Sequence, residues 1–221
     1  MAIKVKSTDV KPLDVKPLDL KPLGRKDFGK AISFAITGMH FERYTENRTA
    51  LSLYGRYFLY MEMERATQII AAYDGHQLAG VLMADMKGEP KRYHSILRAL
   101  YVKIFGFLMN HIFAGASSSY DSTNRKMLAE YKKEETPDGE LCFLAADPRA
   151  LGKGIGSRLL TELERREDGK KIYLFTDSNC SWQFYEHKGF DCVGKKEIMM
   201  DVAGREVPLT CLLYAKTMKL A

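Results

Sequence analysis

Three alternate glycines, Gly152, Gly154 and Gly156, stand immediately before an amphipathic stretch whose apolar residues recur at helical spacing. Backbone N–H groups without side chains around them can approach a phosphate closely, and the positive end of the helix dipole then faces the anion. Lys153 and Arg158 can add positive charge beside the outer phosphates. The pattern predicts an anion-binding cradle, and a loop that merely leads into a helix is the alternative.

The segment around these glycines has the order strand, loop, helix, strand. Residues 140–146 form an apolar run that Asp147 and Pro148 end, and 171–176 form a second apolar run after a helix predicted to reach about Glu167. Two strands joined through one helix lie parallel, with a right-handed crossover. We therefore expect the glycine loop at the carboxyl end of the first strand.

The spacing of the glycines separates several phosphate motifs. A P-loop requires GxxxxGK[ST], which is absent here. A dinucleotide-binding fingerprint requires GxGxxG directly after the strand, whereas residues 147–151 intervene and Ser157 stands where a third glycine would be in register. Asp177, at the end of the next strand, resembles the ribose-binding acid of that motif. Dinucleotide binding therefore stays open as an alternative.

Two motifs together resemble the GCN5-related N-acetyltransferase (GNAT) superfamily. Its pyrophosphate motif, [Gln/Arg]-x-x-Gly-x-[Gly/Ala] after Val-x-Pro, is similar to residues 151–156 after 146–148, with Leu151 in place of the usual polar first residue. Its downstream motif, an apolar residue followed by Tyr-x-x-x-Gly-Phe, is similar to residues 184–190, which follow a strand and Asn179. The resemblance is close over 140–192 and looser over 18–86.

The resemblance implies the fold. It predicts an α/β (α+β) chain with a mixed central sheet of about six or seven strands, flanked by helices, and a helical insertion between the third and fourth strands. We expect a single domain over residues 18–221, with the insertion at about 87–139, preceded by a low-complexity arm at 1–17 that holds KPLD repeats. A proline in every fifth position leaves one edge strand near Leu18 to Pro22.

The resemblance also implies acetyl transfer from acetyl-CoA to a primary amine by direct attack of the amine on the thioester. A backbone N–H on the first strand, near Leu144 to Ala146, would then bond the thioester oxygen. The residues expected to bind the co-substrate are Leu144, Ala145, Ala146, Leu151, Gly152, Lys153, Gly154, Ile155, Gly156, Ser157 and Asn179.

Glu140 is the predicted general base. An alkyl ammonium has a pKa near 10.4, so a group that accepts its proton accelerates attack at neutral pH. Glu140 opens the first strand, at the position where the histone-acetyltransferase branch of the family has its base. A surface carboxylate at a strand end is the alternative, and Glu62, Glu64 and His187 are weaker candidates.

Tyr185 matches the tyrosine that serves the family as general acid toward the leaving thiolate. A phenol of pKa near 10 is a weaker acid than a thiol of pKa near 8.5, so we expect it to help by hydrogen bonding. A tyrosine that only packs in the core is the alternative. Cys180 lies near Tyr185 in the sequence, and a covalent acetyl-cysteine route is a minor alternative.

Composition narrows the class of protein. The four cysteines include no CxxC pair and no Cys/His ligand spacing, so we expect no metal site and a reducing, cytoplasmic location. The net charge of +6 is modest, and we do not expect a nucleic acid or membrane partner, although a basic arm that contacts either surface stays open. The expected partner is a small-molecule or peptide amine, with a homodimer as an open question.

Local patterns place the remaining elements. Helices are predicted from Asp27 to near Phe41 and from Asn47 to about Met61, followed by a hairpin that turns at Asp74-Gly75. Within the insertion, 95–113 is predicted as a helix whose apolar face packs on the domain or on a second subunit, with a membrane-surface helix as the alternative. Residues 114–119 are predicted as a loop, and 123–134 as another helix.

Two classes of function are compatible with these residues. The first is an acetyl-CoA-dependent N-acetyltransferase. The second is a module of the same fold that binds acyl-CoA or docks a partner without turnover. Substitutions at Glu140 and Tyr185 separate them, because only an enzyme loses turnover.

Overall fold

A single seven-stranded sheet organises the chain, in the order β1-β2-β3-β4-β5-β7-β6. The computed structural model describes residues 18–43, 47–91, 93–112, 116–150, 153–202 and 205–220. The strands are β1 (Asp19–Lys21), β2 (Gln68–Asp74), β3 (Gln77–Met86), β4 (Gly139–Ala146), β5 (Lys171–Asp177), β6 (Asp191–Val202) and β7 (Arg205–Thr217). The helices are α1 (Phe28–Gly38), α2 (Arg48–Arg65), α3 (Ile96–Ile112), α4 (Ala116–Tyr131), α5 (Ile155–Arg166) and α6 (Gln183–His187).

The sheet is mixed, as the sequence predicts. β1 pairs antiparallel with β2 at the sheet edge over three residues, and β2, β3 and β4 continue antiparallel. β4 and β5 are parallel, with α5 as their crossover. The low-complexity arm, 1–17, lies outside the described residues.

Helix α2 begins where the sequence predicts and ends later. The Asn47 side chain accepts hydrogen bonds from the N–H groups of Thr49 and Ala50, so it is the N-cap. The helix continues to Arg65 instead of ending near Met61, because Glu, Met and Arg favour a helix and Met63 is buried in the same apolar cluster as Leu59. This extra turn brings Glu62 and Arg65 over the sheet.

The insertion between β3 and β4 is helical, as predicted, but its second helix begins earlier than predicted. Residues 116–119, predicted as part of a loop, are the first turn of α4, and 113–115 lie outside the described residues. Serines favour loops through local hydrogen bonds, yet packing of α4 against β6 and β7 outweighs that preference. Helix α3 lies on α2, and α4 covers the neighbouring half of the sheet.

The parallel strands β4 and β5 pair over only two positions. Gly139 opposes Ile172 and Glu140 opposes Tyr173, and the described residues beyond them do not pair. A bulge in the β3–β4 ladder, between Met83 and Ala84, falls opposite this point. The two strands therefore diverge from residue 141 onward, which opens a V-shaped splay in the middle of the sheet.

Two apolar layers hold the sheet, one on each face. On one face, α5 packs through Ile155, Leu159, Leu160 and Leu163, which are all buried. On the other face, α1 and α2 cover β2 to β4, while α4 covers β5 and β7 through Met127. The splay thus opens between α5 on one side and the α2–α4 pair on the other.

Candidate active site

The glycine loop forms the start of α5 at the wide end of the splay. Gly154 is the N-cap and has a left-handed backbone with φ of 65°, a conformation that glycine adopts without strain. The first N–H groups of a helix have no carbonyl partner inside it, so those at the start of α5 face outward. Apart from its two chain neighbours, no described residue has an atom within 4 Å of a Cβ built on Gly154, which leaves room there for an anion. The backbone therefore fits a pyrophosphate.

The position of α5 depends on a glycine in a different strand. A Cβ on Gly80, in β3, would lie 2.7 Å from a methyl carbon of Ile155 and 3.1 Å from the Ala145 carbonyl oxygen. No other residue type fits between β3 and the start of the helix at that distance. Gly80 therefore lets α5 begin directly over the end of β4.

The other predicted cradle residues divide into two groups. Ile155, Gly156 and Ser157 form the first turn of α5, whereas Leu151 and Gly152 lie outside the described residues. Lys153 ion-pairs with Asp74 in the β2–β3 turn at 2.8 Å, and both side chains are largely exposed. An exposed pair of this kind is weak, so Lys153 can exchange this partner for a phosphate at little cost.

The predicted oxyanion segment lies on the open edge of β4. Leu144, Ala145 and Ala146 pair with β3 on one side and have no pairing to β5 on the other. Backbone groups on that edge are therefore directed into the splay. The segment has the arrangement needed for an N–H donor to a carbonyl oxygen inserted between the strands.

Glu140 lies at the closed end of the splay, inside an ion pair that the sequence did not predict. Arg65 donates to both of its oxygens, at 2.8 Å to Oε2 and 3.0 Å to Oε1. The Tyr173 hydroxyl donates to Oε2 at 3.1 Å. These bonds fix the orientation of the carboxylate. A carboxylate has about four acceptor sites, so one remains on Oε1.

Arg65 also binds a second carboxylate, Glu62, one turn earlier in α2. Its Nε donates to Glu62 Oε2 at 2.7 Å, and the Glu62 side chain is only 3% exposed. Burial raises the pKa of Glu62 to about 7, while Arg65 opposes that shift and Glu140 and Asp85 add to it. Glu62 therefore titrates near neutrality, beside the predicted base.

Tyr185 lies on α6, on the α5 side of the splay. Its ring packs edge-to-face on Phe184 and Phe190, at 5.4 and 5.8 Å between ring centroids. Burial raises the pKa of its phenol, and the nearby Cys180 thiol adds to the shift. The hydroxyl therefore stays protonated at neutral pH and can donate a hydrogen bond.

The loop between β5 and α6 connects one strand of the splay to the helix that carries Tyr185. Asn179 donates its backbone N–H to Asp177 Oδ1 at 2.8 Å, which shapes the turn. Burial, followed by the charge of Asp177, raises the pKa of the Cys180 thiol to about 12. Because the thiolate is the nucleophilic form, Cys180 is unreactive at neutral pH.

Both the sequence and the structure of the chain are similar to those of known acetyltransferases. Residues 122–192 match a family model described as an acetyltransferase (GNAT) domain. A protein from Pyrococcus horikoshii OT3, PH1933, superposes with a TM-score of 0.54 at 17% identity, covering 92% of this chain and 100% of its own. The chain has the GNAT fold.

Two further structures with the GNAT fold are similar to the chain at low identity. One, from Corynebacterium glutamicum ATCC 13032 and described as histone acetyltransferase HPA2 and related acetyltransferase, has a TM-score of 0.51 and 18% identity, covering 89% of this chain and 94% of its own. The other, a putative phosphinothricin N-acetyltransferase, has a TM-score of 0.50 and 15% identity, covering 93% and 99%. No curated protein sequence matches the chain.

The resemblance to the GNAT superfamily and the predicted fold class are therefore confirmed. The family match spans the β4–α5–β5 unit and the α6 motif, which are the two segments that carried the resemblance. The roles of Glu140, Tyr185 and the cradle residues stay predictions. Arg65 and Glu62 were missed as a pair with Glu140, since a helix predicted to end at Met61 cannot reach β4.

The GNAT fold here also carries polar residues from the insertion. Tyr120, on α4, is partly buried, and burial, together with the charge of Asp177, raises the pKa of its phenol while the amide of Asn124 opposes the shift. Oδ1 of Asn124 is buried and has no hydrogen-bond partner among the described residues. In the sequence, only the spacing of four residues between Tyr120 and Asn124 indicated that they lie on one face of a helix.

Two kinds of feature are absent from the described residues. No group of three or more His, Cys, Asp or Glu side chains in that part of the chain is arranged to hold a metal ion. No helix among the same residues is both long and apolar enough to span a lipid bilayer.

Proposed function

We propose that this protein is an N-acetyltransferase that moves an acetyl group from acetyl-CoA to a primary amine by direct attack. The observation that carries the proposal is the splay between β4 and β5, which ends at the glycine-rich start of α5. A pyrophosphate bound to the first turn of α5 would direct an extended chain into that splay. The proposal treats 18–221 as one domain, acting on a small-molecule or peptide amine in the cytoplasm.

The proposed co-substrate site is mainly backbone. The N–H groups at Gly154, Ile155, Gly156 and Ser157 would bind the pyrophosphate, with Lys153 beside them. The open edge of β4 would bond the thioester oxygen, whose negative charge grows as the amine attacks. Leu151, Gly152 and Asn179 complete the proposed set. Acetyl-CoA supplies an activated acyl group and a thiolate leaving group.

Glu140 is proposed to accept the proton of the amine. The fourth acceptor site, on Oε1, faces no hydrogen bond from Arg65 or Tyr173, so an ammonium N–H can bond there. Glu140 first accepts one ammonium proton, which frees the lone pair of the nitrogen, and the neutral amine then attacks the carbonyl carbon. The second proton, lost from nitrogen as the adduct forms, passes to solvent. The carbon–sulfur bond then breaks, and the electron pair leaves with sulfur.

Tyr185 is proposed to donate a hydrogen bond to that departing sulfur. Its raised pKa makes full proton transfer to a thiolate unfavourable, so the expected contribution is stabilisation of developing charge. Cys180 has no role as a nucleophile in this scheme, because its pKa near 12 keeps it as the thiol. Direct transfer is therefore favoured over an acetyl-cysteine intermediate.

Charge on the α2 side of the splay supports an amine as the acceptor. Glu62 and Glu140 share one guanidinium, that of Arg65, and Asp85 acts on Glu62, so ionisation of both glutamates leaves the cluster negative. A negative site at the closed end of the splay attracts a cation. The acceptor expected is therefore positively charged in solution and loses its proton only at the site.

The test is calorimetric titration with acetyl-CoA at physiological salt, with NAD as the control, followed by thiol release with a panel of amines. Micromolar binding of acetyl-CoA, no binding of NAD and turnover of at least one amine would support the proposal. Binding of NAD without acetyl-CoA would overturn it in favour of a dinucleotide. Binding of acetyl-CoA without turnover of any amine would favour a non-catalytic module.

A further inference from the structure

Helix α3 of the insertion has one face that is fully used within the chain. Tyr101 and Phe105 stack at 5.7 Å between ring centroids and pack on Tyr60 and Tyr57 of α2. Arg98 donates to Glu64 of α2 at 2.9 Å. These contacts fix α3 to the domain and orient its remaining surface.

A second face of α3 carries large aliphatic and aromatic residues that are in water. Their exposed fractions are 79% for Ile96, 79% for Leu97, 52% for Leu100, 54% for Ile104 and 62% for Phe107. If a fully exposed side chain of this size has an accessible area of about 200 Å², the stripe exposes roughly 650 Å² of apolar surface. The largest apolar patch of an ordinary monomer is about 300–600 Å², so this stripe is at or above that limit.

The spacing within the stripe is that of a helix-pairing seam. Leu97, Leu100, Ile104 and Phe107 are separated by three, four and three residues, the a/d pattern of a heptad. Side chains in this pattern interdigitate with the same pattern on another helix. A stable interface buries about 800 Å² on each partner, so the stripe supplies most of what a dimer needs.

Charge on α3 argues against a lipid surface as the occupant. A helix that lies on a membrane has a polar face rich in Lys and Arg. Over its whole length α3 contains one arginine, one lysine and no acid, and that arginine, Arg98, is engaged by Glu64. Its inner face is aromatic and covered by α2, so the helix lacks the charged face that a membrane requires.

We propose that two copies of this chain associate through the α3 stripe, defined as Ile96, Leu97, Leu100, Ile104 and Phe107. A two-fold axis places the same patch on both sides of the interface, and a heptad seam is complementary to itself. The α2–α3 pair of each copy would then form half of a four-helix layer. The splay and α5 lie on other elements and remain open.

The experiment measures the mass of the full-length protein in solution by sedimentation velocity, from about 1 to 100 μM. Leu100→Glu introduces a charge into the centre of the seam, twice in each dimer. Met199→Glu is the matched control, because Met199 on β6 is also 52% exposed and apolar but lies outside the stripe. Circular dichroism checks that both variants fold, and Leu97→Glu provides a second seam variant.

The expected result is a wild-type dimer, a Met199→Glu dimer, and an increase of at least about 100-fold in the dissociation constant of both seam variants. A wild-type protein that stays monomeric to 100 μM would overturn the proposal. So would a dimer that Met199→Glu dissociates and Leu100→Glu leaves intact. Flotation with anionic vesicles completes the test: a monomer that binds vesicles through Leu100 would show that a lipid surface covers the stripe instead.

Discussion

The two sides of the β4–β5 splay are built from different materials. On the α5 side, the proposed cradle consists of backbone N–H groups, a left-handed glycine and buried aliphatic residues. On the α2 side, the closed end of the splay consists of two carboxylates, a guanidinium and a phenol from three separate elements. The α5 side should tolerate substitution of many side chains, since backbone N–H groups would bind the phosphate. The charge and the hydrogen bonds of the α2 side depend on the identity of each side chain.

The difference has an energetic counterpart. N–H groups at a helix start remain partly in water, so a cradle made from them costs the fold little. Burying Glu62 requires removal of its charge from water, which the ion pair with Arg65 offsets only in part, and its pKa rises to about 7. Burial of charge on the α2 side therefore costs the fold more than the backbone groups on the α5 side do.

The largest effect is expected on the charged side. Glu140→Gln keeps the size of the side chain but cannot accept a proton, so kcat/KM for the amine should fall about 100- to 1,000-fold. The Kd for acetyl-CoA should stay within about 2-fold, because the cradle does not use this residue. Steady-state kinetics and calorimetry measure the two quantities.

Glu162→Gln is the control for that substitution. Glu162 lies on the outer face of α5 and, like Glu140, accepts hydrogen bonds from arginine, here Arg165 and Arg166, so the change in charge is the same. It should leave the rate unchanged. A Glu140→Gln protein within about 3-fold of the wild-type rate would show that Glu140 is not the base.

The backbone side should respond only where the backbone itself is altered. Gly154→Ala puts a methyl group beside the first-turn N–H groups, and acetyl-CoA affinity should fall about 10- to 30-fold. The left-handed conformation also strains alanine by about 1 kcal/mol. Calorimetric titration and chemical denaturation separate the two effects.

Gly169→Ala is the matched control for Gly154→Ala. Gly169 follows α5, has φ of 80°, and a Cβ there also meets nothing within 4 Å, so both variants should lose similar stability. Only Gly154→Ala should lose affinity. Equal affinities for the two variants would contradict a cradle at the start of α5.

Glu62 gives a pH-dependent test of the same comparison. Its pKa is raised from 4.5 in the unfolded chain to about 7 in the fold, so its contribution to stability is complete below about pH 4.5 and is lost as the pH rises through 7. Glu62→Gln removes this dependence. Relative to wild type, the free energy of unfolding of the variant should rise between pH 5 and pH 8 by on the order of 1–2 kcal/mol.

Urea denaturation at several pH values measures that difference. Glu164→Gln is the control, since the Glu164 side chain is also largely buried, at 13% exposed, but it pairs with Lys216 instead of an arginine at the site. A difference between Glu62→Gln and wild type that does not change with pH would mean that Glu62 is not titrating in the fold near neutrality.

The smallest effect is expected for Tyr185. Tyr185→Phe should lower kcat by about 3- to 10-fold, because one hydrogen bond to the departing sulfur is lost while the ring still packs on Phe184 and Phe190. Tyr214→Phe is the matched control. Its phenol donates to Glu186, and its ring is 6.4 Å from that of Tyr185. Single-turnover rates should separate them; equal rates would leave Tyr185 as a packing residue.

Local patterns account for the parts of the fold that the sequence predicted well. The β4–α5–β5 unit follows from apolar runs, glycines and a helical stripe within a span of 40 residues, and each is a short-range signal. The same holds for the Asn47 cap and the Asp74-Gly75 turn. The prediction missed the first turn of α4. Packing of α4 against β6 and β7 outweighs the preference of the serines in 116–119 for a loop.

The candidate site divides in the same way. Gly154 and Glu140 could be proposed from the sequence, since a motif and a resemblance mark them, and their roles stay predictions. The partners of Glu140 are not. Arg65 is 75 positions away in the chain and Tyr173 is 33 positions away, and neither belongs to a motif with it.

By itself, the sequence determined most of the elements and the position of the proposed cradle, because both depend on the spacing of residues along a few turns of chain. Tertiary structure alone decided the charge and the orientation of side chains on the α2 side of the splay, since these arise where α2 and β5 close over the bulged start of β4. It also decided which face of α3 stays in water. Helical spacing marks two apolar faces on that helix, and only the packing of α2 shows which one is covered.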